Sequence, residues 1–399
     1  MPPGVSCLVN VSGTVRGGSS LTCPVPFRKG IPPLRIALLV NGMTGYLNAE
    51  FAALHRLGHE LLVVTPGAPE VAVGAMVDTA FGDLGTESFA TVHAWRTQPE
   101  PRDLVAMVGA FDPDAVIMTS WNFSPAYRAV MKAVPQRVVR VLIMDNLWRA
   151  APRQWLGRLT HRWYVDTVAD AALVPSDRTE FYARRLGFGA ADIIRGSISA
   201  DTDLFRSPPR SIDQFAGPGR FLSVGRLVDH KGADVLAAAY ARYRTMVPDP
   251  WTLDVAGIGP LEPLLSRIDG VVLHGFLQPP QIADLMREVT AFVLTSHIEP
   301  YGVVVHEAAA SALPILCTEL SGAGPTFVQD GVNGWLVPAG DVDAWAEAMV
   351  TMSTQEPARL ASMSEVSVAL SRRLNPDSWA RHLTDELERR ARAGGGRLS

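Results

Sequence analysis

Two carboxylates, Glu299 and Glu307, stand eight positions apart in the run Glu299-Pro300-Tyr301-Gly302-Val303-Val304-Val305-His306-Glu307. An apolar run over residues 291–296 precedes the first, and another over residues 314–317 follows the second. Both read as buried parallel strands. Pro300 and Gly302 open a helix between them, and Pro314 closes it. Glu299 is thereby placed at the carboxyl edge of a strand and beside a helix N-terminus. An open α/β sheet binds ligands at that edge, and free N–H groups there favour an anion. Glu307 falls inside an apolar helix, where a carboxylate is costly unless it is paired or hydrogen-bonded. Ribose hydroxyls would satisfy it. Solvent or a core arginine would do so equally, and the spacing does not choose.

Arg226 and Lys231 are the matching cations. They follow the strand run Arg220-Phe221-Leu222-Ser223-Val224, with Gly225 and Gly232 on either side and a helix after. A planar guanidinium fork and a mobile ammonium suit a diphosphate, although a solvated basic loop has the same composition. Gly257 and Gly259 end the strand run that begins at Trp251 and let a ligand approach the backbone closely. Gly42 and Gly45 lie in the loop after the first strand, in a strand–loop–helix order that accepts phosphate. Tight turns also use glycine for geometry alone. The triplet Asp201-Thr202-Asp203 has the form of a divalent-metal and diphosphate site. It also lies in a Pro- and Gly-interrupted linker over residues 197–219, and no metal is assigned to it.

These groups need a frame, and the chain alternates strand and helix runs throughout. Strand runs over residues 34–40, 60–65, 114–118, 138–143 and 171–174 predict one Rossmann-like parallel sheet. Its carboxyl edge would present Gly42, Trp121, Asn122 and Asp145 to a cleft. Ser176 is set to cap the helix after the last of these runs. Runs beginning at Arg220, Trp251, Val271, Ala291 and Pro314 predict a second sheet. Helices are expected over residues 341–352, 357–370 and 377–392.

With 399 residues the chain is long enough for two domains, each with its own core. A hydrophobic fraction of 47% and a charged fraction of 19% describe a globular protein. A net charge of −4 gives no overall drive toward nucleic acid, and none is expected as a partner. Cys7, Cys23 and Cys317 form neither a metal-ligand spacing nor a disulfide framework, which fits a reducing cytoplasm. No apolar run reaches the ~20 residues of a membrane span. Residues 1–33, rich in Gly, Ser and Pro, form a poor signal peptide and read as a disordered extension, or as residues upstream of the true start.

The pair Glu299 and Glu307, with Gly225-Arg226-Leu227 and Lys231-Gly232 before it, resembles the signature of retaining GT-B glycosyltransferases, especially glycosyltransferase family 4. The resemblance is strong over residues 220–337 and general before that. It implies two Rossmann-like domains whose parallel sheets face each other across a cleft. The expected boundaries are an acceptor domain over residues 34–205, a nucleotide-sugar donor domain over 206–375, a helix over 376–392 crossing back to the first domain, and a disordered tail over 393–399. It also implies roles. Glu299 contacts the donor sugar, and Glu307 binds the ribose. Gly302 and Val303 lend backbone N–H groups to sugar and phosphates. The loops at Gly257 and Gly259 and at Phe276 and Leu277 pack against the nucleobase. The first loop, with Gly42 and Gly45, approaches the donor phosphates. The implied activity is transfer of a sugar from a nucleotide diphosphate sugar to a hydroxyl acceptor with retention, in cell-surface polysaccharide or glycolipid synthesis. Arg226 and Lys231 would stabilise the leaving diphosphate, and no cofactor is required beyond the co-substrate.

The first domain departs from the pattern. Where many members carry a histidine after the third strand run, this chain has Thr119. Where a His-Asp pair is usual, it has Met144-Asp145, so only Asp145 carries over, as a fallback base or acceptor contact. Two other readings therefore stand beside transfer: a GT-B-type nucleotide-sugar epimerase and a non-catalytic nucleotide-sugar-binding subunit. Residues 128–162 hold eight cations against the single acid Asp145, interleaved with Trp148, Trp155 and neighbouring aromatics. Trp155, Leu159 and Trp163, at helical spacing, read as core beneath a solvated basic face. The other reading is a membrane surface or a lipid diphosphate, with Arg149 or Arg153 for the phosphates and Trp148 or Trp155 for the apolar part. Trp121 and Asn122 complete that acceptor set. The second reading places the protein peripherally on the inner face of the cell membrane, with a saccharide or lipid-linked acceptor.

Overall fold

Continuous runs of Val, Ile, Leu and Ala give strands that are buried on both faces, and a parallel sheet covered by helices is what such strands require. The computed structural model describes residues 32–67, 84–119, 124–196 and 198–393. Trp121, Asn122, nearly all of the N-terminal stretch and the tail from residue 394 lie outside those residues.

The first half contains strands β1 (Arg35–Leu39), β2 (Glu60–Pro66), β3 (Thr91–Trp95), β4 (Ala115–Thr119), β5 (Val139–Ile143), β6 (Ala171–Val174) and β7 (Ile193–Arg195). Its helices are α1 (Gly45–Arg56), α2 (Pro101–Phe111), α3 (Pro125–Ala133), α4 (Pro152–Tyr164) and α5 (Asp177–Arg185), and α6 (Thr202–Phe205) follows in the connection. The second half contains β8 (Arg220–Val224), β9 (Thr252–Ala256), β10 (Val271–Gly275), β11 (Ala291–Leu294), β12 (Ile315–Thr318) and β13 (Gly334–Val337). Its helices are α7 (Ala233–Met246), α8 (Glu262–Leu265), α9 (Pro279–Glu288), α10 (Val303–Ala310), α11 (Gly324–Phe327), α12 (Val342–Ser353), α13 (Pro357–Ser371) and α14 (Pro376–Ala393).

The first sheet has the order β3-β2-β1-β4-β5-β6-β7 and the second β10-β9-β8-β11-β12-β13, with every pairing parallel. Strand order therefore reverses between β1 and β4 and again between β8 and β11. Those are the crevices where an open α/β sheet takes ligands. Alternate residues face opposite layers. Leu39, Val116 and Met118 pack with Tyr127 and Met131 of α3. Ile36, Leu38 and Ile117 pack with Phe51 of α1 and with Trp379, Leu383 and Leu387 of α14. In the second sheet Phe221 and Val293 meet Tyr240 and Trp345, while Phe292 and Cys317 meet Met286 and Val305. Cys317 is fully buried, and burial pushes its thiol up to about 12.

Buried polar contacts tie the halves together. His59, on the strand entry of the first sheet, accepts from Leu34 N through Nδ1 at 3.1 Å, and its Nε2 lies 2.8 Å from Thr384 Oγ of α14. Burial holds this imidazole down to about 4, so it is neutral. Glu50 of α1 accepts from Ser199 N at 2.6 Å, and His306 of α10 accepts from Ala200 N at 3.0 Å. Both bonds pin the connection between the halves. Among the described residues no helix is long and apolar enough to cross a membrane.

One expectation fails. Trp155, Leu159 and Trp163 are not core: they are 44%, 75% and 76% exposed. Helix α4 buries only Gln154 and Gly157, on the opposite side of the helix. Helical spacing showed which side chains share a face, but the protein lies against the other face.

Candidate active site

The second crevice brings the sequence-distant charges together. The loop after β8 carries Arg226, His230 and Lys231, and the loop after β11 carries Ser296 and Glu299. Gly232, at φ 67°, turns the first loop into α7. A side chain there would collide with the carbonyl of Thr295, so only glycine lets this loop lie on β11. The hydroxyl of Thr295 donates to Gly232 O at 2.9 Å and locks the approach. The result is an ion pair: Lys231 Nζ donates to Glu299 Oε2 at 2.6 Å, and Ser296 Oγ donates to the same oxygen at 3.1 Å. Glu299 is 5% exposed, and its ammonium partner is more open to the crevice.

Gly302 positions that carboxylate. It caps α10 in the left-handed region, φ 86°, and a Cβ there would stand 2.7 Å from Glu299 Cγ. Ser321 and Gly322 hold the turn from behind, through Ser321 Oγ to Tyr301 O at 2.8 Å and Gly322 N to Glu299 O at 3.2 Å. The N–H groups of Gly302, Val303 and Val304 donate to no protein acceptor among the described residues. They form an anion-accepting helix end beside the cations.

Arg226 is exposed, with its Nη2 3.4 Å from His230 Nε2. Partial desolvation, then the charges of Lys231 and Arg226, hold His230 below its ordinary pKa; Glu299 opposes, and Arg149 adds a push from the first half. Arg149, exposed in the loop after β5, is near enough to contribute to that shift. Arg226 and Lys231 share this loop at the crevice, and a phosphate group is what two such cations would neutralise.

Glu307 sits one turn further along α10, half-buried, and its carboxylate has no hydrogen-bond partner among the described residues. Burial, then the neighbouring Asp201, pushes it up to about 8. Among the described residues no arginine pairs with it. Asp201 itself caps α6, accepting from Asp203 N and Leu204 N at 3.2 Å each, while Asp203 pairs with Arg206 at 2.8 Å. The two carboxylates of the Asp201-Thr202-Asp203 triplet are therefore engaged separately.

The glycines of the neighbouring loops have a packing role of their own. At Gly257 a Cβ would strike the carbonyl of Gly225, and at Gly259 the backbone of Leu227. On the side where a side chain would stand these positions are filled by the β8 loop, so glycine is required because two loops cross there. Phe276 and Leu277 follow β10, half-buried. Gly42 has open space where a side chain would stand, and Gly45 begins α1 behind the cap of Thr44.

In the first crevice Thr119 ends β4, and its hydroxyl is committed: it accepts from Asn41 N at 2.9 Å and reaches Leu39 O at 3.4 Å. Met144 is buried core. Asp145, at the end of β5, is exposed, and desolvation raises its carboxyl above the ordinary range. It is close enough to Tyr46 of α1 to help raise that phenol. Arg153 is exposed on α4. Ser296 and His230 belong to the site without having been singled out. The signal was available, since each lies within three residues of an assigned charge, in a loop that leaves a strand bordering the crevice.

Comparison with known proteins gives a consistent pattern. Residues 218–355 match the family model described as glycosyl transferases group 1, and residues 41–195 match the glycosyl transferase 4-like domain. The chain is 30% identical over 338 residues to a glycogen synthase of Mycobacterium tuberculosis, covering 74% of this chain and 79% of the relative. It is 30% identical over 184 residues to a D-inositol 3-phosphate glycosyltransferase of Corynebacterium kroppenstedtii, covering 43% and 40%. Among solved structures, HepE of Anabaena in complex with UDP superposes with TM-score 0.69 at 20% identity, covering 89% of this chain and 100% of that one. A sucrose-phosphate synthase of Thermosynechococcus elongatus superposes with TM-score 0.69 at 18% identity, covering 90% and 99%. At these identities the structural likeness speaks to the fold.

Proposed function

The chain belongs to the group 1 glycosyltransferases of GT-B fold, and on that premise we propose that it moves a sugar from a nucleotide diphosphate sugar to a hydroxyl acceptor with retention of configuration. The observation that carries this reading is the Lys231–Glu299 pair at the β8/β11 crevice, flanked by Arg226 and by the unused N–H groups of Gly302 and Val303.

In this reading the diphosphate sits between Arg226, Lys231 and the start of α10. Charge develops on the leaving phosphate as the bond to the anomeric carbon breaks, and prearranged donors there stabilise it electrostatically. The acceptor oxygen bonds to the anomeric carbon on the face the phosphate leaves, and its proton passes to the departing phosphate oxygen. Glu299 orients the donor sugar. Glu307, largely protonated near neutral pH, can both donate to and accept from ribose hydroxyls. Asp145 and Arg149 face the acceptor. Phe276 and Leu277 serve as the nucleobase wall.

The solved neighbours bound to UDP and to UDP-glucose make UDP-glucose the first donor to test. A thermal-shift panel of UDP-, GDP- and ADP-sugars identifies the donor. Proton NMR of the product, with the donor's anomeric configuration retained, tests the reaction. Release of free sugar without acceptor separates an enzyme from a binding subunit, and a new sugar nucleotide would point to epimerisation instead. A second acceptor class, a soluble glucan, is favoured by the 30% identity to a glycogen synthase. Parallel assays with glycogen and with a lipid-linked saccharide decide between them.

A further inference from the structure

Helix α4 is inside out for a soluble surface. A step of about 100° per residue puts Pro152, Leu156, Leu159 and Trp163 on one stripe. Leu156 is 62% exposed, Leu159 75% and Trp163 76%. The side turned to the protein carries Gly157 and the buried Gln154. Apolar residues of an amphipathic helix normally face the core. Here the core side is the polar and small one, and the apolar stripe points away from the molecule.

The flanks of the stripe are cationic. Arg153 lies along one side of it and Arg162 along the other, Arg158 stands further round beyond Arg162, and α4 contains no Asp or Glu. Among the described residues none of the three arginines forms an ion pair, and Arg158 instead covers the Trp155 ring at 5.6 Å. An outward apolar ridge edged by unpaired arginines matches the two layers of an anionic bilayer surface, acyl chains beneath phosphates. At 13 residues the helix is shorter than the ~20 needed to span, so it would lie in the interface plane. A second copy of the chain is the poorer occupant. A two-fold contact across this stripe would bring the arginine flanks of one copy against those of the other.

The helix is also coupled to the cleft. Gln154 Oε1 accepts from Arg149 N at 2.8 Å and Ala151 N at 3.2 Å, and its Nε2 donates to Leu147 O at 2.8 Å. Ala150, in the left-handed region at φ 53°, makes the turn into α4. One buried side chain therefore fixes the loop that holds Asp145 and Arg149 to the helix that carries the ridge.

We propose that α4 is a membrane-docking helix that seats the first half on an anionic lipid surface through Leu156, Leu159 and Trp163, and so brings the cleft mouth at Arg149 to acceptors carried in that surface. The acceptor part of this statement rests on the glycosyl-transfer reading; the docking part does not.

The test is co-sedimentation of the full chain with phosphatidylglycerol/phosphatidylcholine vesicles and with pure phosphatidylcholine vesicles, at low and high salt. Wild type should pellet with the anionic vesicles at low salt and be released as salt shortens the Debye length. The combined variant Leu156→Ser, Leu159→Ser, Trp163→Ser should lose pelleting. Removing two surface cations with Arg158→Gln and Arg162→Gln should weaken the partition constant by about thirtyfold. Nucleotide affinity by calorimetry, read on the same preparations, should be unchanged in both variants, which shows that they are folded. Wild type that ignores anionic vesicles overturns the proposal, as does an apolar-stripe variant that pellets like wild type. A wild-type dimer in analytical ultracentrifugation that the stripe variant converts to monomer overturns it too, because a second copy is then the occupant. Loss of nucleotide binding in wild type would instead strike the transfer reading and leave the vesicle result standing.

Discussion

Lys231 Nζ and Glu299 Oε2, 2.6 Å apart, close the crevice at which the strand order of the second sheet reverses, and they come from loops 68 positions apart in the chain. The pair sets each charge against its opposite before any substrate arrives. On the proposed reading, a diphosphate entering beside it would compete with Glu299 for the ammonium, and Glu299, still held by the Ser296 hydroxyl, would be free to meet a sugar hydroxyl.

Replacing Lys231 by Ala leaves Glu299 buried without its cation. Breaking a buried pair costs about 3–5 kcal/mol, and the residual Ser296 bond and the partly open ammonium reduce the expected loss to about 1–3 kcal/mol. The kcat/KM should fall by roughly two orders of magnitude, the scale of one electrostatic donor. Denaturant titration and steady-state kinetics read the two effects. Unchanged turnover would remove Lys231 from the site.

Gly302→Ala should be costly for its size. The left-handed backbone costs a non-glycine residue about 1–2 kcal/mol, and the new methyl collides with the Glu299 side chain. The expected signature is a kcat loss with nucleotide affinity largely kept. Gly42→Ala, made where nothing stands nearby, is the control and should be close to neutral in stability.

Glu307→Ala should weaken binding of the nucleoside diphosphate by about 0.5–1.5 kcal/mol near neutral pH, the net value of a hydrogen bond to an uncharged group. Calorimetry with the free nucleotide isolates this from catalysis. Equal affinity in the variant would end the ribose assignment.

The same residue gives a pH dependence. Its carboxyl titrates near 8 when folded and near 4.5 when unfolded. Between those values the folded state holds more protons, so Glu307 makes stability fall as pH rises through that window. One unit of elevation is ~1.4 kcal/mol; discounted for partial access to water, the loss by pH 8 is on the order of 1–2 kcal/mol. Glu307→Gln should therefore gain thermal stability over wild type as pH goes from 5 to 8, with the two converging at the acid end. A constant difference across that range would contradict the assignment.

Turnover should survive excess EDTA, because Arg226 and Lys231 supply the positive charge and the two carboxylates of the Asp201 triplet cap a helix and pair with Arg206. A rate lost to chelation and restored by Mg²⁺ or Mn²⁺ would return the triplet to the active site.

The legible parts of this chain were those where local pattern and burial agree. Parallel strands are apolar throughout, so runs such as residues 34–40 and 291–296 announced β1 and β11 almost to the residue. Glu299 was found because a proline–glycine turn after a strand has one place to be. The misread parts depended on what lies across from a residue. Gly257 and Gly259 signalled a close approach, and the sequence could not show that the backbone at Gly225 and Leu227 is among the groups that approach. Trp155, Leu159 and Trp163 correctly shared a face, and the pattern carries no record of which face meets the sheet. The link from Gln154 to the cleft loop was invisible, since a buried glutamine in a basic helix looks like any polar surface residue.

Helix α14 gives the chain an order of events. Trp379, Leu383 and Leu387 cover a face of the first sheet built from Ile36, Leu38 and Ile117, so a helix made after the second sheet completes the half that was made first. Translation from β7 to the end of α14 takes roughly 10–40 s at ordinary ribosomal rates. Through that interval the nascent first half shows an uncovered apolar layer and lacks the Thr384 partner of His59. The first half therefore reaches its final packing only once α14 has been made and has docked.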